Sequence, residues 1–251
     1  MRSILITGAS GKIGSIITKE LLRRGNTVIA ISRSKNNLLK LQENIKKWED
    51  RLFIKNIDLC KKNASNEIKE WLENKRIFPD SLINNARCQD FLKIDKKGLI
   101  SRDNFLGELT LDVVVPYELT MALSMMHNTK LLNVINIGSQ YGVVAPNLNL
   151  YKKNEDIAGL HYGVSKAGLI HLTKELAIRL ANKNIRVNCI AYGGVEGRVD
   201  EEFKKRYSSL SPIGRMLNES DLFGPINMLL TDQSSAITGH TLVVDGGWTI
   251  W

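Results

Sequence analysis

Ser3-Ile4-Leu5-Ile6-Thr7-Gly8-Ala9-Ser10-Gly11-Lys12-Ile13-Gly14 decides the fold. An apolar run of strand length ends at Thr7, and three glycines lead into an amphipathic stretch, Lys12–Arg24. Glycine lets the backbone turn sharply and lets a ligand approach without meeting a Cβ. A helix that opens on such a turn presents unpaired N–H groups and the positive end of its dipole, which favours a phosphate. This reads as a pyrophosphate-binding turn built from Gly8, Ser10, Gly11, Lys12, Ile13 and Gly14. A purely structural turn is the alternative for any lone glycine triplet. The rest of the chain has to decide between them.

The strand–helix alternation continues. Short apolar runs at Thr27–Ile31, Leu52–Ile57, Ser81–Ile83, Leu131–Ile137, Ile185–Ile190 and Thr241–Val244 read as strands. Amphipathic stretches at Asn36–Lys47, Ser65–Asn74, Arg102–Met126, Tyr162–Asn182 and Glu219–Leu230 read as helices. Val- and Ile-rich strands with helices between them suit a parallel sheet buried on both faces. One α/β domain over residues 1–251, with seven parallel strands, is expected. No repeat or linker divides it. Segments Ile100–Leu111 and Ala145–Leu160 are less regular and are expected to lie over a site.

Composition narrows the function classes. The net charge is +9, from 35 basic and 26 acidic residues. The lysines are scattered in pairs such as Lys46-Lys47 and Lys204-Lys205 without interleaved aromatics, so a solvated surface is favoured over nucleic-acid binding. Cys60, Cys88 and Cys189 have no metal-ligand spacing and read as reduced thiols of a cytoplasmic protein. His127, His161, His171 and His240 form no metal pair, and no metal is expected. No stretch approaches the length of a membrane span.

Three strand ends carry polar residues suited to a dinucleotide. The second ends in Ser32-Arg33, with no acid to bind ribose hydroxyls, so a 2′-phosphate and hence NADP is favoured over NAD. Arg33 as an ordinary solvated residue is the alternative. The third ends in Asp58-Leu59; the Asp either accepts from an adenine amino group or caps the next helix. The fourth runs into Asn84-Asn85-Ala86-Arg87. Farther on, Ser139 ends the fifth strand, and Tyr162 and Lys166 stand one turn apart on one helix. An ammonium beside a phenol favours phenolate, and a nearby hydroxyl can hold a carbonyl or alcohol. The set suits proton transfer coupled to hydride transfer, though a Tyr–Lys pair alone is common on surfaces.

In this order, TGxxGxxG, Asp-Leu, Asn-Asn-Ala, Ser and YxxxK resemble the short-chain dehydrogenase/reductase superfamily. Ile185–Ile190 resembles its sixth strand, and Ile237–Gly247 its closing segment. The resemblance spans nearly the whole chain. It implies a single-domain Rossmann fold, a nicotinamide cofactor, a small-molecule substrate and a homo-oligomer, dimer or tetramer. It implies Tyr162 as acid/base, Lys166 as ribose ligand and activator of the tyrosine, and Ser139 as the group orienting the reacting oxygen. Asn85, Ala86 and Val195 join Asp58, Leu59, Ser32 and Arg33 as expected cofactor neighbours.

Departures from the pattern shape the reading. Lys12 stands where the middle glycine is usual, and the glycine spacing and Ser139-Gln140-Tyr141-Gly142 are similar to the longer, sugar-nucleotide-modifying branch. The gap from Ser139 to Tyr162 is 23 residues, roughly ten more than simple members need. Residues 140–161 are therefore expected to form an active-site loop, with a polar set of Tyr151, Lys152, Lys153, Asn154, Glu155 and Asp156. The resemblance implies that residues 195–211 form a substrate lid, while a solvated helix face is the simpler reading of their charge run; a solvated surface loop is likewise the alternative for the polar set. Asp112 takes the place of the Asn that usually anchors a relay water, Tyr192 that of a Pro, and Arg87 that of a Gly. The tail Trp248-Thr249-Ile250-Trp251 exposes two rings if left free, which suits subunit contact.

The function expected is NAD(P)-dependent oxidation or reduction of a carbonyl or secondary alcohol on a sugar derivative. The nearest resemblance is to oxidoreductases of bacterial surface-glycan and flagellin modification. A 3-oxoacyl thioester reductase is the enzymatic alternative. A non-catalytic NAD(P)-binding sensor or assembly protein is the alternative of another class.

Overall fold

The computed structural model describes residues 1–152, 156–197 and 199–251. Seven strands form one parallel sheet: β1 (Ser3–Thr7), β2 (Thr27–Ser32), β3 (Leu52–Asn56), β4 (Ser81–Asn84), β5 (Asn133–Ser139), β6 (Arg186–Tyr192) and β7 (Thr241–Val244). Their order is β3-β2-β1-β4-β5-β6-β7. The chain reverses its direction of travel across the sheet between β1 and β4. Connections there leave on opposite faces, and a crevice opens at the strands' carboxyl ends.

Helices cover both faces: α1 (Lys12–Arg23), α2 (Lys35–Asn44), α3 (Ala64–Lys75), α4 (Arg102–Leu109), α5 (Val115–Ser124), α6 (Leu160–Leu180), α7 (Glu201–Leu210) and α8 (Ser220–Leu230). Ile17, Leu21, Leu38, Leu222 and Ile226 pack one face against Ile4, Ile6 and Ile190. Ile68, Leu72, Leu119, Leu123 and Leu176 pack the other against Leu5, Leu82 and Val187. Alternate residues of β1 thus enter opposite cores, as the period of a strand requires. β5 has no exposed residue, and its buried Asn133 and Asn136 are satisfied by partners, Asn133 Nδ2 donating to the Leu229 carbonyl at 2.7 Å and Asn136 Nδ2 to Thr173 Oγ1 at 2.9 Å.

Three local readings are corrected. The stretch Arg102–Met126 is not one continuous helix: α4 and α5 are joined by a π-helical turn, Thr110–Val114, with the Val115 N–H donating to the Thr110 carbonyl five residues back. Pro116 has no N–H to give to the Asp112 carbonyl four residues back, so the α pattern cannot run through this point. The segment Ile100–Leu111 is more regular than expected, being helical from Arg102. Trp248 is not a free tail ring. It is 6% exposed and stacks on Tyr207, with ring centroids 5.7 Å apart. Trp251 remains exposed and donates through Nε1 to the Leu210 carbonyl, 2.9 Å.

Candidate active site

The glycine turn is shaped by contacts that leave no space for side chains. A Cβ on Gly8 would lie 2.7 Å from Ala86 Cα, and one on Gly14 would lie 2.1 Å from the Gly8 carbonyl oxygen. Gly8 also has φ +66°, in the left-handed region that glycine tolerates best. Thr7 Oγ1 accepts from the Asn85 and Ala86 N–H groups at 2.9 and 3.1 Å, and Asn85 Nδ2 donates to the Thr7 carbonyl at 2.9 Å. The Asn-Asn-Ala segment therefore fixes the turn from behind. Gly11 caps α1 without any side-chain hydrogen bond, and the first turn holds no acid. The N-terminal N–H groups are left for an anion, and the cradle fits a dinucleotide pyrophosphate.

The remaining predicted cofactor neighbours lie at or beyond the carboxyl ends of the strands. Ser10 Oγ and Ser32 Oγ share a hydrogen bond of 2.7 Å, linking the turn to the end of β2. Arg33 is exposed, with its guanidinium 3.7 Å from Asp90 and 3.5 Å from Cys88 Sγ. Asp58 accepts from the Cys60 N–H, 3.1 Å, so it caps the turn after β3. It does not cap α3, which begins after Asn63 without a side-chain cap. Leu59 is buried in the core, leaving only its backbone for a ligand. Val195 bridges Leu217 beyond the end of β6. Lys12 Nζ reaches across to the Glu196 carbonyl.

The Ser–Tyr–Lys groups are held by buried polar contacts. Lys166 Nζ donates to Asp112 Oδ1 at 2.9 Å and to the Ile137 carbonyl at 3.0 Å. Ser165 Oγ donates to the other oxygen of Asp112 at 2.8 Å. Asp112 and Lys166 are 3% and 6% exposed, so the pair is nearly dry. Burial alone would lower the lysine pKa, but the Asp112 carboxylate beside it leaves it raised. Two cations lie near the Tyr162 ring, Lys166 Nζ 5.8 Å and the Arg87 guanidinium 4.9 Å from its centroid.

Ser139 ends β5, and its Oγ accepts from the Tyr141 N–H at 3.2 Å. The turn Gln140–Gly142 then packs directly on α6: a Cβ on Gly142 would lie 2.7 Å from the Lys166 carbonyl carbon. Beneath, Asn84 Nδ2 donates to Asn136 Oδ1 at 2.8 Å, and Asn136 Nδ2 donates to Thr173 Oγ1 at 2.9 Å. This buried chain ties β4, β5 and α6 together, giving the site a rigid floor.

The segments expected to form the loop and the lid touch one another, Arg206 Nε donating to the Leu150 carbonyl at 2.8 Å; Lys153, Asn154, Glu155 and Arg198 of these segments lie outside the described residues. Leu150, Tyr207, Met216 and Trp248 form a separate apolar cluster flanked by Tyr141, Tyr151 and Phe203. Tyr141 and Tyr151 share a hydrogen bond of 3.0 Å. The Tyr207 hydroxyl donates to Gln140 Oε1 and accepts from the Gly194 N–H, both at 2.7 Å. Burial pushes the Tyr207 pKa up to about 12, so the hydroxyl keeps its proton to donate. Gln140 and Tyr207 gave no sequence signal of this role, because only the fold brings them together. Tyr192, in the usual Pro position, turns away from the crevice. It is buried, and its hydroxyl donates to the Leu222 carbonyl.

Among the described residues no cluster of His, Cys, Asp or Glu could hold a metal, and no helix is long and apolar enough to cross a membrane.

Known proteins place this geometry. Residues 8–249 match the family model described as enoyl-(acyl carrier protein) reductase. The post-translational flagellin modification protein A of Campylobacter coli is 29% identical over 252 residues, covering 98% of this chain and 97% of that protein. The 3-oxoacyl-acyl-carrier-protein reductase FabG of Thermotoga maritima is 30% identical over 256 residues, covering 98% and 97%. A short chain dehydrogenase from Leptospira borgpetersenii, solved with bound NAD+, superimposes with a TM-score of 0.87 at 30% identity, covering 99% of this chain and 92% of that one. A 4-hydroxyisoleucine dehydrogenase complexed with NADH gives a TM-score of 0.85 at 28% identity, with both chains fully covered. A glycine cradle at a helix N-terminus, a floor of paired asparagines and a buried lysine beside a tyrosine are thus found in a chain that belongs to the short-chain dehydrogenase/reductase superfamily, within the family described as enoyl-(acyl carrier protein) reductase, an oxidoreductase using NAD or NADP.

Proposed function

We propose that this oxidoreductase acts on a carbonyl or secondary alcohol of a sugar derivative in surface-glycan biosynthesis, with NADP preferred. The observation that carries the substrate class is the long segment between Ser139 and Tyr162. Its described residues Tyr141, Leu150 and Tyr151 pack with Phe203 and Tyr207 of α7, and the whole-length likeness to a flagellin modification protein supports the same class. Ser32 ends β2 and Arg33 follows it, where an acid would bind ribose hydroxyls, and that Ser-Arg pair supports NADP, although Asp90 lies 3.7 Å from the guanidinium.

In the proposed mechanism, Gly8, Gly11 and Gly14 admit the pyrophosphate to the N-terminus of α1. A bound nicotinamide supplies or accepts the hydride. Ser139 Oγ holds the reacting oxygen. Tyr162 gives or takes the proton at that oxygen, and Lys166, fixed by Asp112 and the Ile137 carbonyl, stabilises the tyrosine's negative charge. Residues 195–211 act as the lid, with the Tyr207–Gln140 contact holding it against the loop. Free cysteines among the described residues fit a cytoplasmic location.

The experiment is a melting comparison with NAD, NADP and their reduced forms, followed by turnover assays on phosphorylated and nucleotide-linked amino sugars. The expected result is a larger stabilisation by the NADP forms and turnover on a sugar. Reduction of 3-oxoacyl thioesters with no turnover on any sugar would overturn the substrate class. That second reading is favoured by the FabG likeness at 30% identity.

Self-association is part of the proposal. Leu106, Val114, Tyr117 and Met125 are exposed on α4, the π turn and the flank of α5, and Val164 and Ile178 are exposed on α6 beside them. Light scattering should give a dimer or tetramer; a particle at the 28.2 kDa of one chain would contradict it.

A further inference from the structure

Glu108 has no part in the mechanism above, yet it is only 1% exposed. Both its carboxyl oxygens are buried without a hydrogen-bond partner among the described residues. An unpartnered buried carboxyl is costly and rare. It stands on the last turn of α4, four residues before Asp112. The π turn that follows carries Asp112 to Lys166.

The charges of Asp112, Lys166 and Arg87 act on it, and further titratable groups lie on the elements packed around α4. Asp112 follows on its own helical path. The packed α6 brings Lys166 and also His161, whose Nε2 lies 2.7 Å from the Phe91 carbonyl oxygen. Arg87, Cys88 and Asp90 follow β4, and Asp58 and Cys60 follow β3. Burial, then the Asp112 charge, raise the Glu108 pKa to about 7, against the smaller lowering by Lys166 and Arg87.

We propose that Glu108 is a protonation-dependent positioning residue that sets the charge balance around the Asp112–Lys166 pair. As a neutral acid it leaves Asp112 the sole carboxylate competing for the Lys166 ammonium. As a carboxylate, having released its proton to solvent, it adds a second negative charge. That charge draws on Lys166 and weakens the hold of the lysine on Tyr162. The inference rests on the reading of Lys166 and Tyr162 as catalytic groups, but its test needs no substrate.

The test uses the full chain with NADPH, or with NADH if only that cofactor raises the melting temperature. The Lys166 Nζ resonance, assigned by its loss in Lys166→Arg, is followed by nitrogen NMR from pH 5 to 9. In the wild type it should shift with an inflection near pH 7, and in Glu108→Gln the inflection should be absent. A flat wild-type profile, or an inflection that survives in Glu108→Gln, would overturn the proposal. If Glu108→Gln does not fold, carbon NMR of glutamate-labelled wild type decides. A buried carboxyl titrating near neutrality supports the proposal, and glutamate carboxyls all titrating in the ordinary acidic range refute it. A protein whose melting point no nicotinamide cofactor raises would fail the oxidoreductase reading itself, and separately.

Discussion

Tyr162→Phe should bind the nicotinamide cofactor with nearly wild-type affinity and turn over about 100- to 10,000-fold more slowly, the span typical of losing a general acid or base. The substitution removes one oxygen from a half-buried ring and keeps the ring's contacts, including the two nearby cations at 4.9 and 5.8 Å. The glycine cradle, the Asn85 contacts and the Asp112–Lys166 pair do not depend on the phenol hydroxyl. The loss should therefore appear in kcat, with little change in the cofactor's effect on melting temperature. This outcome separates an enzyme from a cofactor-binding sensor. A sensor's behaviour would survive the change, because its ligand contacts all remain. Stopped assays on the best substrate from the sugar screen, alongside cofactor titrations, give both readings. Retention of even a tenth of the turnover would remove Tyr162 from its proposed role.

The frame for this argument was largely legible in the sequence, for a physical reason. Each inner strand of a doubly covered parallel sheet is apolar on both faces, and each crossover helix on one, so β1, β2, β4, β5 and β6 are marked by composition, while the edge strands β3 and β7 are only partly buried. The glycine turn was legible because Gly8 and Gly14 occupy positions where a side chain would collide with backbone. What stayed hidden depended on contacts between distant segments. A helical pattern runs straight through Thr110–Val114, and only Pro116 hints at the π turn that carries Asp112. Tyr192 is a departure from the family's Pro whose consequence the sequence does not show; its hydroxyl finds a partner on α8. Trp248 looked like an exposed tail ring, but Tyr207 from α7 supplies a stacking surface that no local pattern encodes. Nothing in the sequence marks Glu108, since its helix carries ordinary charges and only the fold shows which of them is buried.

Asp112 is the departure with the largest consequence for stability. Asp112→Ala should destabilise the fold by about 3–5 kcal/mol at neutral pH, the usual cost of stripping one partner from a buried ion pair. For a chain of this size that is a fall in Tm of roughly 6–20 °C. Lys166 Nζ would keep only the Ile137 carbonyl, and Ser165 Oγ only the Tyr162 carbonyl. The expected pH dependence follows from the raised Lys166 pKa. A lysine whose folded-state pKa lies above its unfolded value, about 10.4, contributes stability that is fully present below that value. The contribution is lost as pH rises through the folded-state pKa. The difference between wild type and Asp112→Ala should thus be widest near neutrality and shrink above pH ~10.4, as both proteins come to hold a neutral lysine. Asp112→Asn, which restores the family's usual residue, keeps an oxygen for Lys166 but gives up the full charge, so its loss should be clearly smaller. If denaturant melts instead show equal losses for Ala and Asn, the carboxylate charge contributes nothing beyond shape. Asp112 would then be a tolerated replacement for Asn, and the raised Lys166 pKa would have to come from elsewhere in the site.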